Sequence, residues 1–502
     1  MKTFDLHCHP TLKPMLTLQK HRKSPWDEVD NIANKIFDSQ SNLNQLLDGN
    51  CNLACVGLMA IEAAFLKGAL VQTVAGPVRY IDKRQIRRMA RKVKGYCYPD
   101  LLEQEIDSVI NNAVNKEEPW ERVKWINSMD EYEPDDMDTL YLIATLEGGH
   151  ALYYGRNESS DINIITDKLK EYRKGDPLRL LYLTLTHISP NVFANHAYAI
   201  KILGKKPFLP LGNGISDMGH QVIDTCLNAR WEGKPILIDI KHLSMVARKQ
   251  FYAKYSDKPI IASHVAVTGC SWSTKPIAKF RKKKAHPVYK VKYERQRGHI
   301  NGTRFNPDSI NLYDEDIKAI LRSGGLIGLI LDERVLGYAK EEKKTSKEFI
   351  SDSEWNEFIA PMPLAEQQHR HMDDDENQLD EEEERQNEEE ETLLLVGEGA
   401  KRSMAQQRNH LLHLLNNIMH IMIVGQTMDK PVNPGKHIVI GSDFDGLINA
   451  IDCCPAAEDF EFLQYNLEEA IELYASDLIP DPAAFVSDVF YNNGVEFLNK
   501  HF

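Results

Sequence analysis

Short runs of Leu, Ile and Val recur along this chain, and most of them stop on a histidine or a carboxylate. Thr3–Cys8, Asn52–Met59 (NLACVGLM), Leu140–Leu146 (LYLIATL), Leu180–Leu185 (LLYLTL), Pro235–Ile240 (PILIDI), Pro259–Ser263 (PIIAS), Leu326–Leu331 (LIGLIL) and His437–Gly441 (HIVIG) read as strands. They are too uniformly apolar for a sheet with one wet face, so they predict parallel strands buried on both sides. Between them lie stretches with helical spacing, such as Asp217–Ala229, Asp314–Ser323 and Arg402–Met422. About eight strand–helix units predict an α/β fold of the (β/α)8 TIM-barrel type in preference to an open sheet. No internal repeat and no linker rich in Gly, Pro or Ser divides the chain, so residues 1–502 read as one domain.

Charge refines this picture by marking insertions. The hydrophobic fraction of 42 % and the charged fraction of 27 % are those of a soluble globular protein. The net charge of −14 is a local matter. Asp373–Glu391 holds thirteen acidic residues against one arginine, which leaves about −2 for everything else. Lys275–Arg297 holds ten Lys and Arg against one Glu. Two insertions within the barrel follow: a basic one over 270–303 and an acidic, solvated one over 340–400. Tyrosines interleaved in the basic stretch suit a polyanion. A solvated insertion, paired with the acidic one, is the preferred reading, and no nucleic-acid partner is expected.

The eight cysteines show no CxxC pair, which suits reduced thiols. Met1-Lys2-Thr3 leads into the first strand without an apolar leader, and no apolar run is long enough to span a bilayer. A cytoplasmic protein without membrane attachment is expected. Whether it forms a homo-oligomer is not legible in the sequence.

The polar residues at the strand ends carry the chemistry. A barrel of this kind collects its reactive groups at the C-terminal ends of its strands. There the chain places His7 and His9, Glu147, His187, His242, His264 and Asp443. In FDLHCHP a strand puts His7 and His9 on one face, because side chains alternate, and two adjacent imidazoles are half of a metal site. Cys8 alternates away from them and belongs in the barrel–helix layer. Each residue has a duller reading: Glu147-Gly-Gly suits a helix cap, a lone histidine is usually a core residue, and Asp443 or Asp445 suits a loop cap. Asp443 is preferred because it follows directly on the strand IVIG. His150, His196 and His220 read as structural or surface residues. Six strand ends that each deliver His, Glu or Asp favour a metal centre.

Taken in order, LEGGHAL, LTLTHISPN, ISDMGHQVIDTCLNARWEGKPILIDIKHLS, IIASHV, NLYDEDIKAILRSGGLIGL, HIVIGSDFDG and VFYNNGVEFL resemble the renal or membrane dipeptidase family. That family is a branch of the amidohydrolase superfamily of metal-dependent hydrolases. The resemblance implies two zinc ions, with His7 and His9 on one, His242 and His264 on the other, and Glu147 bridging. It also implies a hydroxide held between the ions as nucleophile, Asp443 as the proton acceptor and donor, and His187 as the group that stabilises the oxyanion. The implied substrate is a dipeptide.

Two departures stand out. The family carries His-x-Asp on the first strand where this chain has His-x-His, which makes the centre one charge more positive. The family's carboxylate-gripping arginine aligns with Ile310, and Arg304 in GTRFNP is the nearest substitute for substrate binding. Competing readings are a relative acting on another small amide, lactam or ester, and a non-catalytic barrel scaffold that binds a partner through its charged insertions. DLHCHP alone also resembles the polymerase-and-histidinol-phosphatase phosphoesterases, whose later motifs do not follow in this order.

Overall fold

Eight apolar strands close on themselves. In the computed structural model, residues 1–17, 23–29, 36, 38–67, 83–114, 120–153, 161–199, 206–281, 287–338, 344–356 and 404–502 are described. The strands are β1 (Thr3–Cys8), β2 (Cys51–Leu58), β3 (Val123–Trp125), β4 (Leu140–Glu147), β5 (Leu180–Thr184), β6 (Leu237–Asp239), β7 (Ile260–Val265), β8 (Ala278–Arg281), β9 (Val288–Glu294), β10 (Leu326–Leu329), β11 (Thr345–Ser351) and β12 (Ile438–Ile440). The parallel order β2-β1-β12-β10-β7-β6-β5-β4 is closed by a β2–β4 pairing, and β3 attaches outside the ring to β4. This is a (β/α)8 barrel. Every residue of its ring strands is buried, as expected where helices cover the outside and side chains fill the inside.

The outer helices begin and end where their capping chemistry dictates. Ile162–Lys174 starts at Asp161, whose carboxylate accepts from the Asn163 N–H, and stops at Gly175 in the left-handed region. Asp314–Ser323 carries three acidic residues in its first turn and stops at left-handed Gly324. Ser216 and Ser244 cap the helices Asp217–Leu227 and Met245–Tyr255 in the same way. One apolar layer joins these helices to the barrel, and Cys8 lies in it. A second cluster seals the N-terminal end of the barrel with Phe4, Leu6, Tyr182, Leu237 and Ile261. Phe497 and Leu498 of the last helix, Asn493–His501, belong to it, as does Phe502.

The basic stretch departs from its expected solvation. β8, β9 and β11 form a three-stranded antiparallel sheet in which β9 buries Val288 and Val291 completely. β11 pairs with β9 along its whole length, from Thr345↔Glu294 to Ser351↔Val288. The sheet sits on the loops at the C-terminal face of the barrel. Val288 and Phe349 pack with Ile188, Tyr198 and Phe208, while Glu354 accepts from Ser244 Oγ at 2.7 Å. The acidic block 373–391 lies outside the described residues. Among the described residues no helix is long and apolar enough to cross a membrane, and all eight cysteines are free thiols.

Candidate metal centre

Side chains from six strand ends converge at the mouth of the barrel. His7 and His9 come from β1, Glu147 ends β4, His187 follows β5, His242 follows β6, His264 lies on β7 and Asp443 follows β12. Glu147 is the hub. Its Oε2 lies 3.1 Å from His9 Nε2, and its Oε1 lies 3.2 Å from His242 Nε2, 3.4 Å from His264 Nε2 and 3.7 Å from His7 Nε2. Asp443 Oδ1 lies 3.5 Å from His9 Nε2 and 3.9 Å from His7 Nε2, and His187 Nε2 lies 3.7 Å from Glu147 Oε1. The side chains of Asp443 and His187 are 13 % and 12 % exposed, against at most 7 % for His242 and less for the other members. These two therefore face the more open side of the cluster.

Hydrogen-bond directions decide what the imidazoles present to one another. His9 Nδ1 lies 2.6 Å from the Gly57 carbonyl, which can only accept, so that nitrogen carries the hydrogen. The Tyr182 hydroxyl donates to the Leu6 carbonyl at 2.9 Å, so it accepts from His7 Nδ1 at 2.7 Å. Ser263 Oγ donates to Asp239 Oδ2 at 2.6 Å and accepts from His264 Nδ1 at 2.8 Å. In their neutral forms all three rings therefore turn an Nε2 lone pair inward. His7 Nε2 and His9 Nε2 are only 3.0 Å apart. One proton between them makes the hydrogen bond seen at that distance, and a metal cation could meet the same lone pairs and the buried carboxylate. Outward hydrogen bonds of this kind are the supports by which a metal site orients its histidines.

Electrostatics favour positive charge at the same place. Burial works against charge on Glu147, yet His187, His7 and His242 hold its carboxyl well below the usual range. Burial likewise opposes charge on His9, but Asp443 and Glu147 raise its titration well above the ordinary histidine value, so the site draws positive charge to this ring. Burial pushes His242 down to about 3 despite Glu147, so it stands neutral as a ligand must. Backbone geometry is committed to the same end. His242 (φ 65°) and Asp443 (φ 60°) both adopt the left-handed conformation that residues with a Cβ seldom take. Gly57 leaves room for the histidine pair, since a Cβ there would lie 2.6 Å from His9 Cε1 and 2.9 Å from His7 Cε1.

Imidazoles gathered around one buried carboxylate are a donor set suited to a divalent metal ion. The family model for membrane dipeptidase (Peptidase family M19) matches residues 9–275. The chain belongs to the membrane dipeptidase family. It is a metal-dependent hydrolase of the dipeptidase type. The probable dipeptidase PvdM from Pseudomonas aeruginosa shares the fold at a TM-score of 0.56, with 14 % identity over 99 % of this chain and 95 % of that one. A metallopeptidase from Rhodobacter sphaeroides, liganded with a phosphinate mimic of the dipeptide L-Ala-D-Ala, aligns at a TM-score of 0.50. The identity there is 13 %, over 100 % of this chain and 99 % of that one. No curated protein sequence matches the chain.

Within this family member the structure brings His7, His9, Glu147, His187, His242, His264 and Asp443 together. It does not bring Arg304 with them. Its guanidinium donates to the Arg295 carbonyl at 2.9 Å and its N–H points to His413, so it braces the segment that follows β9. Ile310 is buried and apolar. Asp445 is a structural carboxylate, receiving the Gln40 and Ser41 N–H groups and pairing with Lys13 at 2.7 Å.

Sequence reasoning passed over Glu62, a fully buried carboxylate in the loop after β2. Its Oε1 lies 3.5 Å from His187 Nδ1 and 3.6 Å from His150 Nδ1, and His150 Nε2 donates to the Ala60 carbonyl at 2.6 Å. Burial opposes charge on Glu62, yet His187 and His150 bring it down to about 2. Gly148 makes space for this row, because a Cβ there would lie 2.3 Å from the His150 ring. Lys241 was also unremarked. A lysine two residues beyond β6, directly before His242, was the available signal.

Proposed function

We propose that this chain is a zinc-dependent dipeptidase that uses Asp443 and His187 as its catalytic side chains. The observation that carries the reading is the meeting of inward lone pairs from His7, His9 and His264 around the buried Glu147. These residues fit two divalent ions. His7 and His9 would hold one, His242 and His264 the other, and Glu147, whose two oxygens face different histidines, would bridge them. Zinc bound there supplies a water acidified to neutral pH and a polarised scissile carbonyl.

The chain's own residues do the rest. Asp443 stands beside the His7–His9 pair on the open side, where its carboxylate takes the proton from attacking water and returns it to the leaving amine. His187 donates its Nε2–H to the carbonyl oxygen as negative charge develops, while Glu62 faces its other nitrogen. The family and the dipeptide mimic held by the Rhodobacter sphaeroides relative put dipeptides first, ahead of other amides, lactams or esters. The eight free thiols suit a reducing compartment such as the cytoplasm.

The test is turnover. Zinc-loaded protein should cleave members of a dipeptide panel that includes alanyl-alanine, lose that activity on chelation and regain it with zinc. Asp443→Asn should lower kcat by roughly 10²- to 10⁴-fold while keeping its metal. Failure of the zinc-loaded protein to cleave any dipeptide, with hydrolysis confined to lactams or esters, would replace the substrate class. Failure on all of them would return the scaffold reading.

A further inference from the structure

We infer that Lys241 is the anion-recognition residue of this centre, its ammonium receiving a carboxylate of the substrate. The inference rests on the dipeptidase reading and adds the residue that selects among amides.

Lys241 lies at the corner of the turn Ile240–Leu243, which the Leu243 N–H closes onto the Ile240 carbonyl. Its own N–H is held at 3.0 Å by Asp239 Oδ1, the carboxylate whose other oxygen accepts from Ser263, the residue that supports His264. The residue is 3 % exposed, deep enough that a bare charge is costly. The carboxylates that act on it are Asp443, Asp239, Glu147 and Asp332, from four different strand ends, so its ammonium sits among the groups that ring the barrel mouth. Yet among the described residues Nζ forms no hydrogen bond, and no carboxylate oxygen lies within 4.0 Å.

Other cations nearby are already committed. Lys13 pairs with Asp445 at 2.7 Å, Arg334 forks onto Asp332, and Arg304 serves the Arg295 carbonyl. Four neutral imidazoles, Glu147 and Asp443 around two divalent ions leave an excess of positive charge, and Lys241 adds to it. An anionic group on the substrate balances that excess, and a neutral amide in its place does not. In a dipeptide such as alanyl-alanine that group is the C-terminal carboxylate.

Binding separates this claim from turnover. Calorimetry on the zinc-loaded protein compares N-acetylalanine with its amide, N-acetylalaninamide. The wild type should bind the acid at least tenfold more tightly. Lys241→Met and Lys241→Gln should weaken the acid by roughly ten- to a hundredfold, leave the amide and the zinc content unchanged, and so erase the preference. Lys241→Arg should keep most of it. A wild type without preference, variants that retain it, or variants that weaken both ligands equally or lose zinc would each overturn the assignment. A wild type that prefers the acid but cleaves no dipeptide would uphold Lys241 and remove the dipeptidase reading instead.

Discussion

At the scale of single residues, the centre is a set of histidines told which way to face. Gly57, Tyr182 and Ser263 each occupy a Nδ1 and leave Nε2 for the interior. The residues that meet around Glu147 were legible in the sequence because each follows an apolar run, where a polar residue has no core role to fill. Their supports were not, since Tyr182 reads as one more apolar residue of LLYLTL and Gly57 as one more small one. Glu62 lies in a loop, MAIEAA, with no pattern to mark it. It lies between His150 and His187, with its Oε1 3.6 Å and 3.5 Å from their Nδ1 atoms. Glu62→Gln keeps the shape and removes the charge. It should lower kcat on dipeptides by roughly ten- to a hundredfold while zinc content and KM stay near wild type, as steady-state kinetics with metal analysis would register. An unchanged kcat would leave Glu62 with a purely structural role.

At the scale of elements, all eight ring strands and the helix Asp314–Ser323 were readable from apolar runs and helical spacing, because burial on both faces leaves no competing pattern. β3 was missed as a three-residue strand added outside the ring. The small sheet was missed because lysines alternate with Val288, Tyr289, Val291 and Tyr293, so that VYKVKYE reads as charge before it reads as a strand. The helix Met404–Gln426 runs about a turn beyond the amphipathic stretch that announced it, and it carries a titrating strut. His413 sits between the Asn409 carbonyl and the Arg304 N–H. Burial, helped by Arg295 and opposed by the Asn409 carbonyl, lowers it to about 4. The unfolded chain, titrating near 6.5, binds more protons than the folded one between those values, so stability falls as the pH drops from 6.5 to 4. The contribution is on the order of 3 kcal/mol. Chemical denaturation of zinc-free protein across this window should show a shallower pH dependence for His413→Gln than for wild type. Equal slopes would mean that His413 titrates normally.

At the scale of the whole molecule, the barrel divides its labour between two ends: chemistry at the C-terminal face and closure at the N-terminal one. The last helix closes the lower end. Asn493 Nδ2 donates to the Gly435 and Ile438 carbonyls at 2.8 Å, and a Cβ on Gly494 would lie 2.0 Å from Phe4 Cδ1. Gly494→Ala should therefore destabilise the fold by roughly 1–3 kcal/mol through overpacking, with kcat and KM of the folded enzyme unchanged. A denaturation curve beside an activity assay checks both halves. A shifted KM would mean that the two ends are coupled. The central claim is that distant strand ends cage two metal ions about Glu147, and diffraction at the zinc absorption edge from zinc-loaded crystals tests it most directly. The account predicts two anomalous peaks, one beside His7 and His9 and one beside His242 and His264, both within bonding distance of the Glu147 carboxylate. A single peak, or peaks away from these side chains, would contradict it.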